Sequence, residues 1–422
     1  MSTLSTLLHR SIEILQKAPF LLILLFLVTT CFGVALLLYT ALYIVAPVPR
    51  SPRRSEKTYK TILPDGNRSE DKQLSCWMDT WNAHREAARR KRGTPLDLTH
   101  QLEDAEVFMS VVVPAYNEEK RLGGMLEEAV DFLQREYGDA HTQVTEFPQS
   151  ANPPGKTKAN IQNGANGYAR TGEASTARKG WEILIVSDGS TDKTVDQALD
   201  FAREHQLSQY PAPVPGPRTP NPTHSTHIPH GSIRVITLEE NRGKGGAVTH
   251  GMRHVRGRYA VFADADGASK FDDLAKLVEG CQAVEDDLGR GVAIGSRAHL
   301  VGSEAVVKRS KLRNFLMHAF HLLLRLMTPP ATSAIKDTQC GFKLFSRPSL
   351  PYIIPYMHCE GWIFDVEMLM LAESANIAMV EVAVGWKEVM GSKLNVVWDS
   401  LGMAWGLAVL RASWAFGIYR RD

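Results

Sequence analysis

Residues 18–46 carry no charged side chain, and nearly every residue from Phe20 to Val45 is apolar. About 20 apolar residues in a helix cross the hydrocarbon core of a bilayer, so this stretch is long enough to span it even when tilted. A cleaved signal peptide is the alternative, but its apolar core usually has about 7 to 15 residues. The pattern therefore predicts a retained transmembrane anchor over 18–46.

Positive charge is distributed unequally around this anchor. Arg10 and Lys17 precede it, and five Lys or Arg residues follow it between Arg50 and Lys60. Because Lys and Arg accumulate on the cytosolic side of membrane anchors, we expect a short lumenal tail at 1–17 and a cytosolic chain beyond the anchor.

Short apolar runs alternate with helical patterns in the region 105–394. The runs are rich in Val and Ile and bounded by Gly, Asp or Asn: 109–113, 182–186, 233–237, 259–264 and 292–296. Helical patterns lie at 119–136, 192–205 and 246–256. Buried strands that alternate with helices predict an α/β domain whose mostly parallel sheet is covered on both faces.

Polar or mixed segments surround and interrupt this domain. Residues 47–104 are predicted to form a cytosolic connector with one helix near 77–92. Residues 141–178 and 209–231 are rich in Pro, Gly, Asn, Ser and Thr, a composition that predicts disordered surface insertions.

Two further stretches are aromatic or apolar but interrupted by charge. The tail at 395–422 contains three tryptophans and few charges, and 315–327 is apolar behind a cluster of basic residues. Both patterns predict helices that lie in the membrane interface, with packing against the protein core as the alternative.

The overall composition is that of a globular protein, with 44% hydrophobic and 22% charged residues. Lys and Arg number 48 against 46 Asp and Glu, so the net charge of +2 gives no indication of a nucleic-acid partner. The five cysteines form no CxxC pair. This argues against a disulfide scaffold or a zinc site and favours a reducing compartment.

Asp264-Ala265-Asp266 follows the apolar run 259–263. Carboxylates two residues apart after a parallel strand emerge at the edge of the sheet where open α/β folds bind ligands. Two such oxygen ligands suit Mg²⁺ or Mn²⁺, which can neutralise charge on a departing diphosphate. Alone, an Asp-x-Asp pair is weak evidence for a metal site, because solvated loops contain many such pairs.

Polar turns also follow the first three predicted strands. Tyr116 after the first can stack on a base, and Asp188 after the second can accept a hydrogen bond from a base ring N–H. Arg242 and Lys244, among glycines near a helix N-terminus, can meet a diphosphate. Each turn by itself is also ordinary turn or capping chemistry. Four such turns at one edge predict a nucleotide site.

In this order, VVVPAYNEEKRL, IVSDGSTDKT, NRGKGGAV and FADADGASKFDDL resemble the family 2 glycosyltransferases, which have the glycosyltransferase A-type fold. IGSR, IKDTQCGFKLF, EGWIFDVE and WKEVMGSKL further resemble the eukaryotic dolichyl-phosphate β-glucosyltransferase family, relatives of the dolichyl-phosphate mannose synthases. The resemblance covers about 109–394 without the two insertions, and also the position of the anchor. The set of motifs is specific to this family, but it indicates the transferred sugar less specifically.

The resemblance implies roles for individual residues. The nucleoside would be held by Pro114, Tyr116, Glu118, Val186 and Asp188. Asp264 and Asp266, with Ala265 between them, would hold the divalent metal and the diphosphate. Phosphates of the donor or of the lipid acceptor would be faced by Arg297, Lys387 and Lys393. Asp337 is the candidate for a polar role near the acceptor, with capping of a turn before Gly341 as the alternative.

The chain departs from the family pattern at two positions. Ser187 stands where the family often has Asp, which leaves the base contact to Asp188. Ala268 stands where the mannose synthases carry Gln as a further metal ligand, so their metal geometry does not transfer directly.

The resemblance implies an inverting transfer of glucose from UDP-glucose to dolichyl phosphate for protein N-glycosylation, at the cytosolic face of the endoplasmic reticulum membrane. The alternatives are transfer of mannose from GDP-mannose, or an inactive membrane scaffold with the same fold. Four acids at one sheet edge argue against the scaffold. The expected partners are the donor, the lipid acceptor and the bilayer, without nucleic acid.

Overall fold

The computed structural model describes residues 19–90, 102–138, 179–300, 319, 322–389 and 396–421. The strands are β1 (Thr58–Tyr59), β2 (Lys72–Gln73), β3 (Val107–Ala115), β4 (Trp181–Asp188), β5 (Ile233–Leu238), β6 (Gly257–Ala263), β7 (Gly291–Ser296), β8 (Phe342–Ser346) and β9 (Ala378–Ala383). The α-helices are α1 (Phe20–Val45), α2 (Trp77–Arg90), α3 (Leu122–Tyr137), α4 (Thr194–Leu207), α5 (Gly243–Met252), α6 (Leu274–Val284), α7 (Pro330–Ala334), α8 (Phe364–Ser374) and α9 (Val396–Ala415).

Seven strands form one sheet in the order β5-β4-β3-β6-β8-β7-β9. Neighbouring strands are parallel except at β8, which runs antiparallel to both β6 and β7. Both faces are buried: Val112 and Phe262 belong to one apolar cluster, and Val111 and Val261 belong to the other. Successive residues of a strand face opposite sides of the sheet, and here both sides are apolar. Such a sheet must be covered on both faces. The predicted α/β fold with a mostly parallel sheet is confirmed.

The predicted connector packs onto this sheet instead of standing apart from it. Lys60 forms a backbone bridge with Val235 on the outer strand β5. The indole N–H of the buried Trp77, at the start of α2, donates to the carbonyl oxygen of Met252 at 2.7 Å. Residues of the connector therefore contact the sheet directly, and the domain boundary expected at residue 105 stays a prediction.

The second predicted insertion, 209–231, is named the strap here. It contains no helix or strand, yet it packs against α3 and α4. Ile228 is completely buried, and its N–H donates to the carbonyl oxygen of His205 at 2.9 Å. The expectation of disorder was wrong for this segment, because polar anchors compensate for its few aliphatic side chains. The first insertion, 141–178, lies outside the described residues.

Helix α1 has 26 residues and is therefore about 39 Å long. Its apolar side chains are exposed along nearly its whole described length, with Leu42 partly buried. The hydroxyls of Thr29 and Thr40 donate to carbonyl oxygens four residues earlier, so they present no unpaired donor to an apolar environment. Within the described part of the chain, α1 is the one helix long and apolar enough to cross a membrane.

Helix α9 lies in the C-terminal tail, for which a membrane-interface helix was predicted and packing against the protein core was the alternative. Leu407 and Leu410 are buried in the core, whereas Trp398 and Trp405 are 72% and 64% exposed. The described part of 315–327 is similar, since Leu324 is buried and its neighbours Leu322 and Leu326 are exposed. Each segment thus packs on one side and presents large apolar side chains on the other.

Candidate active site

The carboxyl ends of β3, β4, β6 and β7 share one edge of the sheet, because these strands point in the same direction. This arrangement brings together predicted site residues from distant parts of the sequence. Those that follow or end these strands are Tyr116, Glu118, Asp188, Asp264, Asp266 and Arg297.

The turn at 264–268 is held closely at this edge. Lys244 Nζ forms an ion pair with Asp264 Oδ1 at 2.6 Å. The backbone N–H of Asp264 donates to the carbonyl oxygen of Gly341 at 3.2 Å. A Cβ at position 341 would come within 2.0 Å of Asp264 Oδ2, so only glycine allows this approach. Asp266 Oδ1 accepts the backbone N–H of Ala268 at 2.9 Å.

The electrostatics of this turn suit a divalent cation. Burial and then the charge of Asp264 raise the pKa of Asp266, because each of two neighbouring carboxylates disfavours ionisation of the other. A bound Mg²⁺ or Mn²⁺ would relieve that repulsion. The described residues contain no group of three or more His, Cys, Asp or Glu able to hold a metal. Further ligands would therefore be donor phosphate oxygens and water, as is usual for Mg²⁺.

Lys244 lies at the N-terminal end of α5, beside Asp264. Burial alone would lower the pKa of Lys244, but the nearby carboxylates, Asp264 first, raise it, so the ammonium stays charged. A fixed positive charge and the N-terminus of a helix both favour an anionic ligand. The structure thus places Lys244 beside Asp264 at the carboxyl edge of the sheet, and the diphosphate contact expected for it stays a prediction.

The residues predicted to hold the nucleoside divide into two kinds. Tyr116 is 41% exposed, and Glu118 forms a double ion pair with Arg121, both contacts at 2.6 Å. Val186 is completely buried, and Ala265, which was predicted beside the metal and the diphosphate, is buried as well. Pro114 is paired in register with Val186 within the sheet. Only backbone groups of the buried residues can therefore contact a ligand.

The carboxylate of Asp188 is hydrogen-bonded to the backbone of the protein. Asp188 is 3% exposed, and its Oδ1 accepts the backbone N–H of Arg242 at 2.7 Å. Burial raises the pKa of Asp188 to about 6, although N–H groups of Arg242 and Gly243 partly oppose the shift. The carboxylate fixes the turn that leads into α5, a role that sequence reasoning did not assign to it.

Arg242 does not match its predicted position. Its guanidinium is paired with the carboxylate of Glu360, Nε to Oε1 at 2.8 Å, and also donates to the carbonyl oxygen of Arg50 at 3.0 Å. The side chain is only 7% exposed. Because these partners already occupy the guanidinium, the expectation that Arg242 faces a diphosphate is not met in this structure.

Arg297 and Asp337 form a two-contact ion pair at the end of β7, with distances of 2.7 and 2.8 Å. Burial would raise the pKa of Asp337, but the guanidinium outweighs it and the pKa is lowered. Asp337 therefore holds Arg297, which differs from both the acceptor contact and the turn cap considered for it. Lys387 Nζ donates to the carbonyl oxygen of Pro217 at 2.9 Å, and Lys393 lies outside the described residues.

Sequence reasoning missed several charged groups around this edge. Arg121 pairs with Glu118 and lies 3.9 Å from Asp266 Oδ2. Lys343 and Asp365, both almost fully buried, form an ion pair, and Lys343 Nζ also donates to the carbonyl oxygen of Cys340 at 2.6 Å. A lysine within the apolar run of β8 was a signal for such a pair, because buried charges require partners.

The matching family model and two relatives that are similar in sequence agree with the motifs. The family model described as Glycosyl transferase family 2 matches residues 218–350. Dolichyl-phosphate beta-glucosyltransferase of Saccharomyces cerevisiae is 36% identical over 398 residues, 93% of this chain and 94% of the yeast protein. Its Drosophila melanogaster counterpart is 39% identical over 76% of this chain and 79% of its own length. Among solved structures, Mycobacterium tuberculosis glucosyl-3-phosphoglycerate synthase with Mg²⁺ and uridine-diphosphate aligns with 73% of this chain and 79% of its own, at 15% identity and a TM-score of 0.40.

Proposed function

Because this chain belongs to the dolichyl-phosphate beta-glucosyltransferases of glycosyl transferase family 2, we propose that it transfers glucose from UDP-glucose to dolichyl phosphate. The observation that carries the site assignment is the turn of Asp264 and Asp266 beside Lys244, at the carboxyl edge of a parallel sheet. The product would be dolichyl β-D-glucosyl phosphate, which serves protein N-glycosylation.

On the donor side, Asp264 and Asp266 would hold Mg²⁺ or Mn²⁺. When bound, such a cation supplies Lewis-acid stabilisation of the charge on the departing diphosphate. Lys244 adds a positive charge that is already fixed in place before the substrate arrives. Preorganised charge of this kind needs no rearrangement during the reaction, which is why it lowers the barrier.

On the acceptor side, the chemistry needs little help from a base. A phosphate monoester has its second pKa near 6, so the acceptor is largely dianionic at cytosolic pH. One of its oxygens forms a bond to the anomeric carbon while the bond from that carbon to the UDP oxygen breaks. A single displacement converts an α-linked donor into a β-linked product. Arg297, held by Asp337 but 33% exposed, would meet a phosphate of the donor or of the acceptor.

A donor comparison tests this function. Full-length protein in detergent micelles, supplied with dolichyl phosphate and Mg²⁺ or Mn²⁺, should label the lipid from UDP-glucose far faster than from GDP-mannose. Preference for GDP-mannose would support the mannose-transfer alternative. Absence of transfer from both donors, with a protein that unfolds cooperatively, would support the inactive scaffold.

We also place the catalytic domain on the cytosolic face of the endoplasmic reticulum, from the flanking charges of α1. The chain contains its own reporter, since Asn67-Arg68-Ser69 is an acceptor sequence for N-glycosylation and Asn67 is exposed. In microsomes, endoglycosidase treatment should leave the electrophoretic mobility unchanged. As a control, replacing residues 1–46 by a cleaved signal peptide should send the domain into the lumen and add a glycan. Glycosylation of the unaltered chain would reverse the proposed orientation.

A further inference from the structure

The strap extends from helices α3 and α4 to the turn that carries Asp264 and Asp266. We propose that Arg218 of the strap is a positioning residue, which holds this turn in the conformation that binds the metal. The proposal rests on the proposed function, because it takes the turn at 264–268 as part of the donor site.

Arg218 contacts the turn through its guanidinium. Nη1 donates to the carbonyl oxygen of Gly267 at 2.8 Å, and Nη2 donates to that of Ala268 at 2.5 Å. The N–H of Ala268 in turn donates to Asp266 Oδ1 at 2.9 Å. Gly267 has a φ of 68°, a conformation that glycine permits but does not impose. The contacts of Arg218 add to the turn's own hydrogen bonds in selecting this conformation.

Arg218 is itself held firmly. Its backbone N–H donates to Glu128 Oε1 at 2.9 Å, and its guanidinium lies 3.7 Å from Oε2 of the same carboxylate. The side chain is 19% exposed. The ring of the preceding residue, Pro217, lies against Gly267, where an added Cβ would be 3.2 Å from its Cγ. The strap thus meets the turn with both an ion-paired arginine and a rigid proline.

The segment after β9 completes the enclosure of the turn. The backbone N–H of Lys387 donates to the carbonyl oxygen of Ala268 at 2.9 Å, while Lys387 Nζ donates to Pro217 at 2.9 Å. The Ala268 carbonyl oxygen therefore receives one donor from the strap and one from the opposite side. The turn has little freedom to move while both are in place.

The far end of the strap is anchored in the body of the domain. Ser225 Oγ donates to the buried carboxylate of Glu127 and lies 2.9 Å from His205 Nε2. Thr226 Oγ1 donates to Asp131 Oδ1 at 3.0 Å. Because this end is tied to α3 and α4, the fold of the domain sets the position of the strap.

Removal of Arg218 should therefore affect metal binding more than chemistry. Groups that orient metal ligands typically contribute about 10- to 100-fold in metal affinity. Without the guanidinium, the carbonyl oxygen of Gly267 loses its donor from the strap and that of Ala268 keeps only the N–H of Lys387. The turn that orients Asp266 is then less restrained. Saturating metal should restore most of the turnover, because the guanidinium of Arg218 donates to backbone carbonyls of the turn and not to Asp264 or Asp266.

The test is a Mn²⁺ titration of the full-length protein in detergent micelles with saturating UDP, with free Mn²⁺ followed by electron paramagnetic resonance. We expect Arg218→Ala to weaken Mn²⁺ binding by about 10- to 100-fold. Arg218→Lys should lie between the variant and the wild type, because an ammonium cannot reproduce the planar fork. In transfer assays the Mn²⁺ concentration for half-maximal rate should rise by a similar factor, with a smaller change in the maximal rate.

Arg290→Ala is the matched control. Arg290 is also mostly buried, at 14% exposure, and stabilises a turn through Asp286, but it lies at the amino end of β7, on the opposite edge of the sheet. Its removal should lower the melting temperature without changing Mn²⁺ affinity. Wild-type affinity in Arg218→Ala, or an equal loss in Arg290→Ala, would overturn the proposal. If Arg218→Ala does not fold, wild-type affinity in Arg218→Lys has the same consequence.

Asp266→Asn in the same titration separates this proposal from the proposed function. Wild-type Mn²⁺ binding by Asp266→Asn would refute the metal site, and with it the role of Arg218. Lost binding in Asp266→Asn together with normal binding in Arg218→Ala would refute the positioning role alone.

Discussion

Replacement of Asp266 by Asn should lower the rate of glucosyl transfer by about 10²- to 10³-fold at saturating Mg²⁺ or Mn²⁺. Asparagine has the size of aspartate and can still accept the N–H of Ala268. It lacks the negative charge that a divalent cation needs. The protein should therefore fold and insert normally, yet lose stabilisation of the leaving diphosphate. Transfer to dolichyl phosphate measured beside the melting temperature checks both statements.

Asp264→Asn should be comparably severe, because Asp264 carries the second carboxylate and also pairs with Lys244. Asp287→Asn is the matched control, since Asp287 is an exposed acid in the turn before β7, and its replacement should be nearly silent. A wild-type rate in Asp266→Asn would remove the metal assignment and leave 264–266 as a loop with two acids.

Replacement of Lys343 by Met should destabilise the fold by about 3 to 5 kcal/mol. Lys343 is completely buried, and its ammonium is paired with Asp365, which is 3% exposed. Methionine fills a similar volume but leaves the carboxylate of Asp365 without its cation. Equilibrium unfolding of the full-length protein in detergent, monitored by tryptophan fluorescence, gives the change in free energy.

Two comparisons make this prediction specific. The double variant Lys343→Met/Asp365→Leu should recover much of the lost stability, because no buried charge remains unpaired. Lys57→Met removes an ion pair with Asp79 whose side chains are 32% and 50% exposed, so it should change stability by about 1 kcal/mol or less. Equal effects in Lys343→Met and Lys57→Met would show that burial of the first pair does not govern its energetics.

The strands that the sequence predicted are those with continuous apolar runs. β3, β4, β5, β6 and β7 were anticipated, whereas β8 and β9 were not. Lys343 interrupts the apolar run of β8, and its pairing with Asp365 becomes visible only when the chain is folded. β9 lies at the edge of the sheet and is only partly buried, so its sequence carries a weaker apolar signal.

For the candidate site, the sequence predicted which turns meet but not which charges pair. Parallel strand direction alone places Asp188, Asp264 and Arg297 at one edge. The partner of Arg242 lies 118 residues away at Glu360, a pairing that no local pattern encodes. The strap was taken for a disordered insertion because composition reports apolar content and not hydrogen-bonding anchors such as Glu127. Local pattern therefore determines the sheet edge, and long-range packing determines how its charges are shared.

Analysis of the lipid product tests the central claim most directly. Full-length protein incubated with UDP-glucose, dolichyl phosphate and Mg²⁺ should yield a glucosyl lipid phosphate, whose anomeric configuration nuclear magnetic resonance can assign. The account predicts the β configuration, because a single displacement by the lipid phosphate inverts the α-linked donor. An α-linked product, or release of free glucose without a glucosyl lipid, would contradict it.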